Sequence, residues 1–157
     1  YKIKNKSLVK EYDDLNEICN CMDYVSKTKL TREEIYDIFA NLNLFQCGPA
    51  YFTKLMFFTS YKANSCFIMD QWTARSINLL IDDQYICMRN SKNPSPSKEG
   101  NNGKKYNRFC LIIEDLSKKI SKIKKPLLIT PSEVEQLLFS RGGKKDKLEW
   151  RKYVQSY

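Results

Sequence analysis

Apolar positions recur along most of this chain at intervals of three and four, the repeat of an α-helix with one buried face. Leu15, Ile18, Cys19, Met22 and Val25 predict a helix over Tyr12–Ser26, behind a basic, polar lead-in from Tyr1 to Lys10 that is expected to fray. Asp13, Asp14 and Glu17 would fall in its first turns, where the helix dipole favours acids. They read as a solvated acidic face more readily than as a catalytic carboxylate pair. Leu30, Ile35, Ile38, Phe39 and Leu42 predict a second helix. Thr31, three residues before Glu34, gives it a capping box, in which each side chain satisfies an orphan N–H. A third helix opens at Pro49 and runs to about Phe58, and a fourth runs from Gln71 to about Leu80 with Asp70 as N-cap. Tyr85 to Met88 is short and apolar, closing the fourth helix or entering the core.

Phe109, Ile112, Ile113, Leu116, Ile120 and Ile123 predict a helix over Tyr106–Ile123. Lys118, Lys119, Lys122, Lys124 and Lys125 gather at its C-terminal end, and Pro126 stops it. Thr130-Pro131-Ser132-Glu133 opens another helix, with Val134, Leu137, Leu138 and Phe139 as its buried face. Leu148 to Val154, with Trp150 and Tyr153, docks a last helical turn. No strand-like alternation of any length occurs, so the chain predicts an all-α domain of about six helices.

Two stretches break the pattern. Gln46-Cys47-Gly48-Pro49 is a tight turn joining two helices into a hairpin. Ser91 to Lys105, SKNPSPSKEGNNGKK, holds prolines, glycines and asparagines that exclude a regular element. It is expected to be a long exposed loop, a solvated insertion whose lysines have DNA contact as their second reading. Arg141-Gly142-Gly143-Lys144-Lys145 reads as a helix C-cap or as a phosphate-binding turn.

The 157 residues are enough for one domain with a core, taken here as residues 1–157. Because the chain begins at Tyr1, an N-terminal part is expected to be missing. No apolar run approaches a membrane span and no leader is visible, which predicts a cytoplasmic protein with no membrane partner. The net charge of +9 points to a polyanion, most simply nucleic acid, or to a generally lysine-rich composition. With no histidine in the chain, no mechanism can use a histidine base, and the usual zinc patterns are absent. Cys19, Cys21, Cys47, Cys66, Cys87 and Cys110 include one C-x-C and no C-x-x-C. They read as reduced, mostly buried thiols. No metal and no cofactor are expected.

The chemistry concentrates between Leu30 and Leu80. The helix opening at Pro49 has unpaired amides at its start, which can hold a phosphate. An aspartate begins the next helix about twenty residues later. Leu44-Phe45-Gln46-Cys47-Gly48-Pro49-Ala50 and Met69-Asp70-Gln71-Trp72-Thr73-Ala74-Arg75 together resemble the helix-hairpin-helix superfamily of DNA glycosylases, especially its 8-oxoguanine glycosylase-like branch. In that family the hairpin reads roughly L-P-G-V-G-T-K, and a catalytic aspartate follows in a V-D-x-H-V-x-R-like segment. Asp70 and Arg75 match in type and spacing, and Gly48 matches the second hairpin glycine. GPAYFTK and MDQWTARS are also similar to bacterial proteins described as having an 8-oxoguanine-glycosylase fold, some linked to defence against phage.

The resemblance implies a helix-hairpin-helix glycosylase-like domain that binds DNA through Gln46, Gly48, Ala50 and Arg75 and uses Asp70 in catalysis. Arg75 has a structural ion pair as its simpler reading. Dense aromatics are mostly core, yet base extrusion needs stacking surfaces, and Tyr51, Gln71 and Trp72 are placed in the base pocket. The sequence departs from the family at two positions. Gln46 replaces the first hairpin glycine, and Ala50 stands where the family has its lysine nucleophile. Lys54, one turn on, is the nearest lysine, a nucleophile or a phosphate contact. Without a lysine nucleophile, Asp70 would assist water and leave an intact abasic strand. The superfamily's four-cysteine iron–sulfur run is absent. The implied substrate is a hypermodified base of phage DNA, such as glucosylated hydroxymethylcytosine, or 8-oxoguanine as the family default. A non-catalytic DNA-binding module and a bare helical interaction domain are the alternatives from other classes.

Overall fold

The computed structural model describes residues 2–42, 47–60, 66–123, 128–139, 150–151 and 154, with the backbone alone for 2–13. It is all-α. The order is α1 Lys2–Lys27, α2 Arg32–Asn41, α3 Pro49–Thr59, α4 Gln71–Leu80, α5 Gly103–Ile123 and α6 Pro131–Phe139. Among the described residues the extended chain pairs with itself only at an isolated antiparallel bridge, Met88 to Pro96. None of the described helices is long and apolar enough to cross a membrane.

The core forms where α2, α3 and α5 meet. Tyr36 of α2 is fully buried, stacked on Tyr106 of α5 at 4.9 Å and edge-on to Phe52 of α3 at 5.0 Å. Such arrangements set the positive ring edge or offset face against the negative π-cloud. Polar contacts fix the register of α2 against α5. Arg32 pairs with Glu114, Asn107 Nδ2 donates to Glu33 Oε1 at 3.0 Å, and the Gly103 amide donates to Asp37 Oδ1 at 2.8 Å. Partner numbers fall along α5 as they rise along α2, so the two helices run antiparallel. Gly103 is required there, because a Cβ would lie 2.4 Å from the Glu33 carbonyl oxygen. Cys21 and Val25 seat α1 against the core, and Val134 and Leu138 seat α6.

The Thr31/Glu34 capping box forms as its spacing predicts, and Thr130 and Glu133 make the same exchange before α6. Five expectations need correction. α1 starts at Lys2 rather than Tyr12: nothing between them breaks a helix, and a nucleated helix propagates until something does. Asp13, Asp14 and Glu17 are therefore mid-helix, and no acid lies in the first turn. Leu15 and Cys19 are exposed; Val25 is buried as expected, and Cys21 rather than Cys19 is buried with it. On α6, Leu137 and Phe139 are exposed while Glu135 is buried. The last loop residues, from Gly103, already belong to α5.

All six cysteines are free, and Cys21, Cys66 and Cys110 are buried. Burial pushes the Cys110 thiol up to about 12. The expected Pro126 stop, the Arg141–Lys145 turn and Tyr153 lie outside the described residues.

Gly103→Ala is expected to cost about 1–3 kcal/mol, because two backbones must separate to admit the methyl group. Urea unfolding reads this, and an unchanged midpoint would refute the close approach of α5 to α2.

Candidate active site

The stretch from Cys66 to Asp70 is neither helix nor strand, so its buried amides need other acceptors. Side chains from four places supply them. The Phe67 amide donates to the Tyr106 hydroxyl of α5 at 3.1 Å, and that hydroxyl donates back to the Phe67 carbonyl at 2.8 Å. The Ile68 amide donates to Glu135 Oε1 of α6. The Met69 amide donates to Thr53 Oγ1 of α3 at 3.0 Å, while Thr53 donates to the Pro49 carbonyl at 2.6 Å. The Asp70 amide donates to Thr73 Oγ1 at 3.0 Å. The hydroxyl proton of Thr73 goes to its nearest acceptor, the Ile68 carbonyl, at 2.7 Å.

This harness delivers Asp70 to the start of α4. Its Oδ1 accepts from the amides of Trp72 at 2.8 Å and Thr73 at 2.9 Å, the geometry of an N-cap. Among the described residues Oδ2 accepts no hydrogen bond. Asp70 is 8% exposed, and it borders a solvent-open cavity of about 290 Å³. The helix amides thus hold the carboxylate through one of its two oxygens.

The cavity has three walls. α3 and its N-cap contribute Gly48, Ala50, Tyr51 and Lys54. Gly48 has no side chain to cap the helix and Pro49 has no N–H, so among the described residues the Ala50 amide is left without a partner at the helix start. The start of α4 contributes Asp70 and Gln71. The third wall, Arg89, Ser95 and Pro96, comes from the loop between α4 and α5. Lys54 is exposed, its ammonium 5.7 Å from the centre of the exposed Tyr51 ring.

The structure thus brings together Gly48, Ala50, Tyr51, Lys54, Asp70 and Gln71. Trp72 and Arg75 do not line this cavity. Arg75 lies over the Trp72 ring at 5.5 Å, a cation–π contact on the outer face of α4, and among the described residues it joins no ion pair. Gln46 lies outside the described residues.

The sequence did not expose Arg89, Ser95 or Glu135 as neighbours of Asp70. Of the stretch expected as a solvated insertion, residues 91–93 are exposed but Pro96 and Asn101 are buried, and the segment before it is tied down as well. Asn78 of α4 binds both the amide and the carbonyl of Ile86, each at 2.9 Å, and Ile86 is fully buried. Asn101 holds the Cys87 amide and the Cys87 and Ser97 carbonyls. Pairs of asparagines flanking a buried isoleucine were the available signal, but only contacts between distant positions give it meaning.

Glu135 stands behind Asp70. Burial raises its carboxyl, the negative charge of Asp70 adds to the rise, and the Ile68 amide opposes it, leaving the group at about 7. Its ordinary value is 4.5, so the folded state holds this proton more tightly than the unfolded chain does. The associated stability is full below the ordinary value and is lost as pH rises toward about 7. Glu135→Gln keeps an acceptor for Ile68 and removes the titration. The variant is expected to match the wild type near pH 4.5 and to exceed it above pH 7 by at most about 3 kcal/mol. Equal differences in urea unfolding at both pH values would refute this. Thr53→Val, which strands the Met69 amide, is expected to cost about 1–3 kcal/mol by the same measurement, and no loss would show that the amide finds another acceptor.

Comparison with known proteins bears on this site as a whole. No curated protein and no solved structure matches the chain. A family model described as "Putative 8-oxoguanine DNA glycosylase OGG-like protein" matches residues 23–139, which include every wall of the cavity. With most of its length matched, the chain belongs to this OGG-like family.

Proposed function

We propose that this protein is a DNA glycosylase that extrudes a modified base from DNA and hydrolyses its N-glycosidic bond, with Asp70 as the catalytic carboxylate. The observation that carries the reading is the Asp70 side chain, pinned through Oδ1 by two helix amides and lining a cavity shared with the α3 helix start. A base within a duplex is out of reach, so it is flipped at a cost of a few kcal/mol of unstacking. The Ala50 amide and the α3 dipole suit a DNA phosphate, which sets position and carries no sequence information. As the bond from C1′ to the base nitrogen breaks, positive charge develops on the sugar, and the Asp70 carboxylate stabilises it. Water then bonds to C1′ on that face. Its proton passes to Asp70, and the departing base, which leaves with the bonding electrons, is protonated in turn. The product is an intact strand with an abasic sugar.

Ala50 at the family's lysine position supports hydrolysis over lyase chemistry, and so does the solvent around Lys54, since a lysine nucleophile is activated by desolvation or a cationic neighbour. The same substitution favours a hypermodified base, such as glucosylated hydroxymethylcytosine of phage DNA, over bifunctional repair of 8-oxoguanine. One observation favours the second reading, an 8-oxoguanine glycosylase with lyase activity: Lys54 lines the cavity that holds Asp70.

Base release from glucosylated virion DNA and from 8-oxoguanine duplexes, each with and without alkali, separates these readings. The expected outcome is strand cleavage only after alkali, reduced about 10²–10⁴-fold in Asp70→Asn. Cleavage without alkali that disappears in Lys54→Ala would establish the lyase. Undiminished release by Asp70→Asn would remove Asp70 from the mechanism, and DNA binding without any release would leave a binding module.

A further inference from the structure

The loop wall gives the cavity a feature that neither the hairpin nor α4 explains. Arg89 and Ser95 sit side by side, because the Met88–Pro96 bridge aligns their backbones and the Arg89 amide donates to the Ser95 carbonyl at 2.8 Å. The pair is built in place. The Ser97 amide donates to the Cys87 carbonyl at 3.0 Å, and Lys98 Nζ donates to the Leu42 carbonyl at the end of α2 at 3.0 Å. Gly100 takes a left-handed φ of 80°, and a Cβ there would lie 2.8 Å from Cys87 Sγ. Pro96 is buried, and an Arg89 guanidinium nitrogen comes within 3.5 Å of where a Gly48 Cβ would stand. The wall is therefore closed against the hairpin. Among the described residues no carboxylate pairs with Arg89. Exposed Arg89 and half-buried Ser95, a planar fork of N–H donors and a hydroxyl, thus line a solvent-open cavity at the small end of the roughly 300–1,000 Å³ usual for ligand sites.

We propose that Arg89 and Ser95 select the substrate by hydrogen bonding to oxygen acceptors on the substituent of the extruded base. This rests on the reading that a base enters the cavity at all. With the sugar carbon beside Asp70, the base and its substituent occupy the remaining space, and the loop is the wall left to meet them. The chemical class is a nucleobase with an oxygen-rich substituent, hydroxylated or glycosylated. A planar fork discriminates here because it pairs with two oxygen acceptors at once, which a flexible ammonium does not reproduce.

The test is equilibrium binding by the Asp70→Asn variant, which leaves the base attached. The probes are duplexes of one sequence carrying cytosine, 5-hydroxymethylcytosine or glucosylated 5-hydroxymethylcytosine, and a pair carrying guanine or 8-oxoguanine. The expected result is a preference of about tenfold or more for the glucosylated base over cytosine. Adding Arg89→Lys, which keeps the charge and loses the fork, is expected to reduce that preference below about threefold while cytosine-duplex affinity changes less than about twofold. Ser95→Ala is expected to reduce it partly. No preference in the parent, an unchanged preference in both Arg89→Lys and Arg89→Ala, or an equal loss on every duplex would each overturn the proposal; the last would make Arg89 a phosphate contact. An Arg89-dependent preference in a protein whose wild type releases no base would uphold the selection role and sink the glycosylase reading. Base release with a preference indifferent to Arg89 would do the reverse.

Discussion

The site depends on a buried segment without regular structure. Residues 66–70 are neither helix nor strand and are mostly buried, and buried amides without acceptors cost about 1–3 kcal/mol each. Tyr106, Glu135, Thr53 and Thr73 accept from the four successive amides of Phe67 to Asp70. They come from α5, α6, α3 and α4, so one short segment ties four helices to the residue that begins α4. The position of Asp70 is thereby set by the packing of the whole bundle rather than by a local turn.

The same arrangement joins the site to the core. Tyr106, whose hydroxyl closes both bonds of Phe67, is the ring on which Tyr36 stacks. Burial holds its hydroxyl well above the ordinary phenol range, so it serves as a neutral donor and acceptor. Thr53, which takes the Met69 amide, anchors to the Pro49 carbonyl in the first turn of α3. The hairpin helix that faces the cavity and the segment that carries Asp70 therefore share a single hydroxyl. Glu135 introduces a tension, because a second carboxylate is buried close enough to Asp70 to feel its charge. Protonation of Glu135, whose carboxyl is raised to about 7, relieves that repulsion.

The loop between α4 and α5 shows how irregular chain becomes a working wall. Its turns are closed by asparagine side chains that mimic missing strand partners, and by a lysine reaching back to α2. These bonds fix the loop backbone beside the cavity. They also explain why a stretch rich in proline, glycine and asparagine packs Ile86 and Pro96 inward.

Sequence alone determined what local physics determines. Three-and-four spacing gave the all-α class; Thr31 with Glu34 and Thr130 with Glu133 marked two helix starts; and Asp70 was legible as an N-cap, since a cap bonds only to residues two and three ahead of it. The pairing of the Gly48 turn with Asp70, and of Lys54 with both, was legible because a short hairpin and a short link leave little freedom in sequence space. Tertiary structure decided the rest. Arg89 and Ser95 reach the cavity only because the loop folds onto the hairpin, and Glu135 arrives from more than sixty residues away, by its bond to Ile68. Trp72 and Arg75 turn to each other because helix geometry carries them off the face that Asp70 presents. Hydrophobic period tells which side of a helix is buried, but not which distant polar group meets it, and this protein's candidate site is made of such meetings.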